Sequence, residues 1–188
     1  MDRYNVKLTA ESRLEEHWTT GFSGNFVNSK IQKSTGANDG IVATVYPAPA
    51  HYDLAGIPSH YANNLYQQNT YRGTGGFDAA YWSVNNNEFT EKTNRFFGNA
   101  YVNFGTKFNT ENHKLDVKYQ MGVDAYTTHD QDIWGYGHAN GKGQIENSGW
   151  TTTTFNSLLT ATYAWKISEA WDFDALLGNE IVQDNNKY

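Results

Sequence analysis

Residues 94–126 read NRFFGNAYVNFGTKFNTENHKLDVKYQMGVDAY, and the order of side chains along this stretch decides the fold. Taken in twos from Phe96, one row is Phe96, Gly98, Ala100, Val102 and Phe104. Beyond a polar turn it continues as Leu115, Val117, Tyr119, Met121, Val123 and Ala125. The intervening row is Arg95, Asn99, Tyr101, Asn103 and Lys107, then Asp116, Lys118, Gln120, Asp124 and Tyr126. Successive side chains of a β-strand point to opposite faces, so alternation at period two is the mark of a strand with one dry and one wet side. The stretch predicts two long antiparallel strands, and it leaves one question: does the apolar row face a protein core or lipid?

The same alternation recurs along the chain. Tyr4, Val6, Leu8 and Ala10 interleave with Asn5, Lys7, Thr9 and Glu11, and Trp18, Phe22 and Phe26 with Thr19, Ser23 and Asn25. Further on, Phe155, Leu159, Ala161, Tyr163 and Trp165 interleave with Asn156, Thr160 and Thr162, and Trp171, Phe173, Ala175 and Leu177 with Asp172, Asp174 and Glu180. Six strands are predicted, over about 3–13, 16–31, 93–108, 113–127, 150–166 and 171–183. Three connections are short ("RLEE", "NTENH" and "ISEA"), whereas the other two are the long loops 32–92 and 128–149. Asn38 and Asp39 are good helix N-caps and Pro47 is a stop, so one short helix is predicted over 39–46. The Gly-rich stretch after it reads as ordered coil.

Bulk composition narrows the class. Aromatic residues make up 15% of the 188 and charged residues 18%, a mixture that favours strands and turns. A net charge of -6 without clustered Lys and Arg gives no basis for nucleic-acid binding. The absence of cysteine excludes disulfide scaffolds and thiolate metal sites. No run approaches the ~18 apolar residues of a membrane helix, and the opening MDRYNVKLTAESR lacks the apolar centre of a signal peptide. Neither point speaks against a membrane β-barrel, whose alternating strands average to a hydrophilic chain.

Strand length, loop asymmetry and aromatic placement favour lipid. A tilted strand crosses a bilayer in ~9–11 residues, and the predicted strands are at least that long. Phe108, Tyr163, Trp165, Trp171 and Phe173 lie beside the short turns, where a membrane-boundary girdle would sit. The expected fold is therefore all-β, an antiparallel up-and-down meander forming part of a transmembrane β-barrel in the bacterial outer membrane. Six strands are fewer than the ~8 of the smallest such barrels, and both ends would fall on the long-loop side, so residues 1–188 are expected to be one partial barrel. The competing expectation is a soluble carbohydrate-binding β-domain, with the apolar rows turned inward.

Gly76-Phe77-Asp78-Ala79-Ala80-Tyr81-Trp82, with Asn94-Arg95-Phe96-Phe97-Gly98-Asn99 and Gly122-Val123-Asp124-Ala125-Tyr126 on the strands that follow, resembles the barrel of the SusC/RagA branch of TonB-dependent outer-membrane transporters. Ala79-Ala80 stands where that family usually carries Asn-Pro. The resemblance implies import of glycan or peptide oligomers, energised by the TonB complex, with a SusD-like surface lipoprotein resting on the extracellular loops. The family's plug domain is not expected within this chain.

Four loop aromatics are candidate ligand contacts: Tyr81, Trp82, Trp134 and Tyr136, whose faces can stack on sugar rings. The alternative is that they pack the loops together or meet the lid protein. Asp130 and Asp132 have the spacing of part of a calcium loop, but Gly135 falls where that loop needs its glycine and the bidentate acid is missing. The six histidines never fall at i, i+4, so no metal or other cofactor is expected. Gly-x-Gly runs at 73–76, 135–137 and 141–143 follow no strand-to-helix transition, which argues against phosphate cradles. Asp116, Lys118, Asp172 and Asp174 read as cross-strand polar pairs, and no nucleophile and base come together, so enzymatic activity is not expected.

Overall fold

A computed structural model describes residues 1–34, 41–72, 76–107, 112–139 and 141–188, the side chains of 106 and 107 excepted. In chain order the elements are β1 (Asp2–Arg13), β2 (Trp18–Lys33), α1 (Ile41–Val45), β3 (His60–Tyr61), β4 (Asn64–Gln68), α2 (Ala80–Asn86), β5 (Glu88–Lys107), β6 (His113–Trp134), β7 (Gln144–Lys166) and β8 (Asp172–Lys187). Six of the strands form one antiparallel meander in the order β1-β2-β5-β6-β7-β8, and β3 pairs with β4 in a separate hairpin. The meander and the six predicted strands agree.

Three differences from the sequence reading stand out, the first being the hairpin β3–β4 inside the stretch read as the loop 32–92. β5, β6 and β7 run to 20, 22 and 23 residues, longer than predicted. Their extensions, such as Glu88–Lys92 and Thr128–Trp134, carry polar residues on both sides, so the alternation that defines a strand edge fades before the ladder does. Among the described residues there are two short helices, where one was predicted. α2 lies in the stretch read as coil; the residue before it, Ala79, offers no side-chain cap, and the helix carries no acidic residue in its first turn. It has no start signal because tertiary packing holds it. The expected N-caps Asn38 and Asp39, and the aromatic Phe108, lie outside the described residues.

The chain divides into two compact units. One consists mainly of 30–92 and 128–149 and contains both helices and the hairpin. Its centre is Trp82, fully buried, with Ala79, Ala80 and Phe89. These are the buried apolar side chains among the described residues, and all four belong to this loop unit.

The other unit, 3–29, 93–127 and 150–188, is the sheet. β7 and β8 pair without a register shift from Lys166↔Asp172 to Thr151↔Lys187, which sets Trp165 beside Phe173, Tyr163 beside Ala175 and Ala161 beside Leu177 on one face. That face stays open to its surroundings: Leu8 is 63% exposed, Phe96 47%, Met121 43%, Leu159 43% and Leu177 74%. Phe104, Met121 and Leu159 therefore do not meet under a closed core. The apolar row of β7 from Phe155 to Trp165 advances about 33 Å at ~3.3 Å per residue. At its short-turn end aromatic rings gather. Trp18 packs on Phe104 with centroids 4.8 Å apart, His113 stacks on Trp165 at 5.4 Å, and the Tyr163 hydroxyl lies 2.7 Å from His113 Nδ1.

The opposite face is hydrogen-bonded strand to strand. Arg95 grips Asp124 with both Nε and Nη2, Asn103 Nδ2 donates to Asp116 (3.2 Å), and the Tyr101 hydroxyl donates to Glu11 (2.7 Å). Lys118 lies over the Tyr101 ring, 4.7 Å from its centroid. Thr154 donates to Asp184 (2.6 Å) and Asn156 to Glu180 (2.8 Å). The bidentate guanidinium–carboxylate pair and the amide–carboxylate bonds are charge-assisted, about twice as strong as neutral ones.

Candidate functional site in the loops and on the polar face

Asp78 organises the loop unit. It is 6% exposed, and its carboxylate accepts from the Ala139 backbone N–H (2.6 Å), from Asn87 Nδ2 (2.9 Å) and from Gln68 Nε2. Its carbonyl accepts from the Thr44 hydroxyl (2.8 Å). Gln68 turns its amide oxygen to the Ala79 N–H (2.6 Å) and also donates to the Gly137 carbonyl (3.0 Å); Asn87 Oδ1 accepts from the Gly135 N–H (2.9 Å). Segments some 60 residues apart in sequence are thus tied to one buried anion whose charge is met by neutral donors. Charge-assisted bonds of this kind are about twice as strong as neutral ones, and their geometry fixes the loops.

The four sequence-predicted aromatics fall into three environments. Trp82 is corrected outright as a ligand contact: it is fully buried and its Nε1 donates to the Leu65 carbonyl (3.4 Å), so no face remains for a sugar. Gly135 exists for the same packing, because a Cβ there would sit 2.7 Å from the Asn86 carbonyl oxygen and 3.1 Å from Trp82 Cη2. Trp134 is half-buried, edge-on to Phe89 at 5.4 Å and tilted against His138 at 6.5 Å. Tyr136 is 57% exposed and stands edge-on to Tyr66 at 4.9 Å. Tyr81, 51% exposed, borders a small cavity with Tyr52, Leu54, Ile57 and Tyr71. At ≈ 20 Å³ that space admits a water and no sugar. Tyr81 and Tyr136 retain open faces, Trp82 has none, and Trp134 is half-buried against Phe89 and His138.

Asp130, the first of the acidic pair Asp130 and Asp132, is matched by a cation already on the chain. Lys33 Nζ lies 2.7 Å from Asp130 Oδ1 and 3.6 Å from Glu91 Oε2. The hydrogen bond that Lys33 donates to Asp130 raises the Lys33 pKa above its ordinary value, reinforced by the charges of Asp130, Asp132 and Glu91 against a partial loss from burial. Among the described residues no group of three metal-ligating side chains is arranged to hold an ion.

A site not foreseen from the loops lies on the polar face of the sheet unit, a shallow groove of ≈ 410 Å³ between β2, β5, β6 and β7. Asn25, Asn99, Gln120, Asp124 and Asn156, with the hydroxyls of Ser23 and Thr154, supply polar atoms and Phe97 its one aromatic ring. The Arg95 guanidinium lies 5.0 Å from that ring's centre, held by its Asp124 pair. Carboxamides present a donor and an acceptor together, the inventory needed to read hydroxyls or peptide bonds. The signal was present in the polar row of the opening stretch, but parity alone does not tell which of several polar rows will border an open volume.

Compared with known proteins, the chain matches no family model and no curated protein.

Proposed function

We propose that the chain is a wall segment of a TonB-dependent outer-membrane transporter that imports glycan or peptide oligomers. One observation carries the membrane part of this reading: the sheet leaves its whole apolar face uncovered, while the buried apolar side chains among the described residues belong to the loop unit. Large apolar surface left uncovered in water is a liability, whereas against acyl chains it is the stable arrangement. The aromatic cluster at the short turns and the carboxylate-and-amide ladder on the other face fit a boundary girdle and a hydrated lumen. A soluble carbohydrate-binding domain would need those apolar rows covered by protein.

The cargo follows from weaker support. The amide-rich groove with Phe97, and the open faces of Tyr81 and Tyr136, suit ligands with many hydroxyl or amide groups. The resemblance at residues 76–82, 94–99 and 122–126 adds the TonB complex and a SusD-like lipoprotein as partners, working through parts of the transporter outside this chain. The test is genetic. An in-frame deletion of the segment encoding residues 1–188 should abolish growth on the oligomer cargo as completely as loss of TonB does, and the product should fractionate with the outer membrane. Recovery in the soluble fraction, or a deletion strain that still uses every TonB-dependent oligomer, would sink the proposal.

A further inference from the structure

Toward their long-loop ends, β2 and β5 carry two lysines on the face of the apolar row, Lys30 and Lys92, and both belong to the loop unit. The contacts between these strands fix how the two stand. Trp18 packs on Phe104, a Cβ on Gly98 would meet Gly24 Cα, and Asn28 Nδ2 donates to Asn94 Oδ1 (2.6 Å). All three follow one antiparallel register, and two residues beyond Asn28 and Asn94 it sets Lys30 opposite Lys92. The strands stay together past that point, where Lys33 Nζ lies 3.6 Å from Glu91 Oε2.

Parity separates this pair from the acids of the Lys33 cluster. Lys33, Glu91 and Asp130 stand on the polar face and pair with one another there. Lys30 and Lys92 are exposed, and neither enters an ion pair among the described residues. Two other acids share their face. Asp2, which the β1–β2 register with Thr9 beside Ser23 brings across from Lys30, forms no ion pair with it, and Glu88, further along β5, accepts from the Thr90 hydroxyl (3.4 Å). Like charges directly opposite on neighbouring strands stand only ~5 Å apart at Cβ and cost stability, a cost that an anion between the ammonium groups reverses. The rows before them show what kind of anion. Along β2 and β5 this face reads Phe26 with Phe96, Asn28 with Asn94, then Lys30 with Lys92: phenyl, carboxamide, ammonium. A membrane lipid presents matching groups in the same order, as acyl chains, an ester or amide linkage and a phosphate. We propose that Lys30 and Lys92 together bind the phosphate of a membrane lipid. Lysine suits the task, since its stem lies along apolar surface while its head, a point charge, reaches the headgroup level.

The inference rests on the lipid-facing reading of the apolar rows and is independent of the cargo. The whole chain, refolded in neutral detergent micelles, is mixed at low salt with phosphatidylcholine vesicles made with or without phosphatidic acid. Lys30→Gln/Lys92→Gln should bind the phosphatidic acid vesicles about thirtyfold more weakly than the wild type, roughly fivefold per lysine, and the neutral vesicles equally well. Lys7→Gln/Lys114→Gln, the same change of charge on the polar face, should lose about twofold or less. Because the pair repels itself, Lys92→Gln alone should melt no lower than the wild type in neutral micelles, and below it once phosphatidic acid is added. A lower melting temperature already in neutral micelles, or equal losses in the two double variants, overturns the site. Inorganic phosphate at matched ionic strength should leave the lipid bound; if it releases the lipid, the lysines hold a free anion and the lipid assignment falls. Insertion that ignores phosphatidic acid defeats this site alone, whereas failure to insert into either kind of vesicle defeats the lipid-facing reading as well.

Discussion

Asp78 shows how much one buried side chain can organise. Its three carboxylate bonds, from Gln68, Asn87 and Ala139, and the bonds those partners pass on to Ala79, Gly135 and Gly137 join two loops that a sequence-local view keeps apart. Removing the acceptor leaves the part-buried Ala139 N–H without its partner and takes one bond each from Gln68 Nε2 and Asn87 Nδ2, which keep only the Gly137 carbonyl and the Ser83 hydroxyl, and each lost bond costs about 1–3 kcal/mol when water cannot enter. Asp78→Ala is therefore expected to destabilise the loop unit by about 3 kcal/mol, read as faster limited proteolysis across residues 135–143 and faster hydrogen exchange at the Ala139 amide. Unchanged protection at Ala139 would show that the carboxylate is not the organiser. Asp78 was quoted in the sequence reading only as part of a motif; its role could not be read there, since the partners that define it are scattered from Thr44 to Ala139.

At the scale of the element, the sheet depends on close approach between β2 and β5. A Cβ built on Gly98 would lie 2.5 Å from the Ser23 carbonyl oxygen and 3.1 Å from Gly24 Cα, and both are backbone atoms that no rotamer change can move aside. Gly178 on β8 is the contrast, its nearest neighbour being the Leu159 carbonyl oxygen at 3.9 Å. Gly98→Ala should spread the two strands and cost about 2 kcal/mol, while Gly178→Ala should be neutral or slightly stabilising. Thermal unfolding in detergent compares the two, and equal melting temperatures would refute the close-approach argument. Strand existence and facing were legible from alternation for the six strands of the meander, but not for the short hairpin β3–β4 inside the stretch read as the loop 32–92. Strand ends were not, because polar extensions such as Thr128–Trp134 keep their backbone ladder after their side chains stop alternating. The helix Ala80–Asn86 was missed for a related reason: with no cap and only seven residues, it is held by the burial of Trp82 and not by propensity.

For the molecule as a whole, the decisive quantity is what meets the apolar face. If it is lipid, charge placed there is penalised by depth and charge on the opposite face is not. Met121→Arg, in the middle of the apolar row, should reduce insertion into phospholipid vesicles in proportion to about 2–4 kcal/mol, whereas Gln120→Arg, one residue away on the polar face, should insert normally. Protease protection of the vesicle-bound chain measures both. Equal behaviour of the two variants would remove the distinction between the faces on which the membrane reading depends.

By itself the sequence determined the class of fold, the number and order of the meander's strands and which side chains share a face, because a period of two is a local consequence of backbone geometry. Only the tertiary structure decided that Trp82 is a core residue and not a ligand platform, that Lys33 is already paired with Asp130, and that Asn25, Phe97, Gln120 and Asn156 border one groove. Those facts depend on contacts between segments 20 to more than 100 residues apart, and no local pattern encodes which distant partner a buried donor or ring will meet.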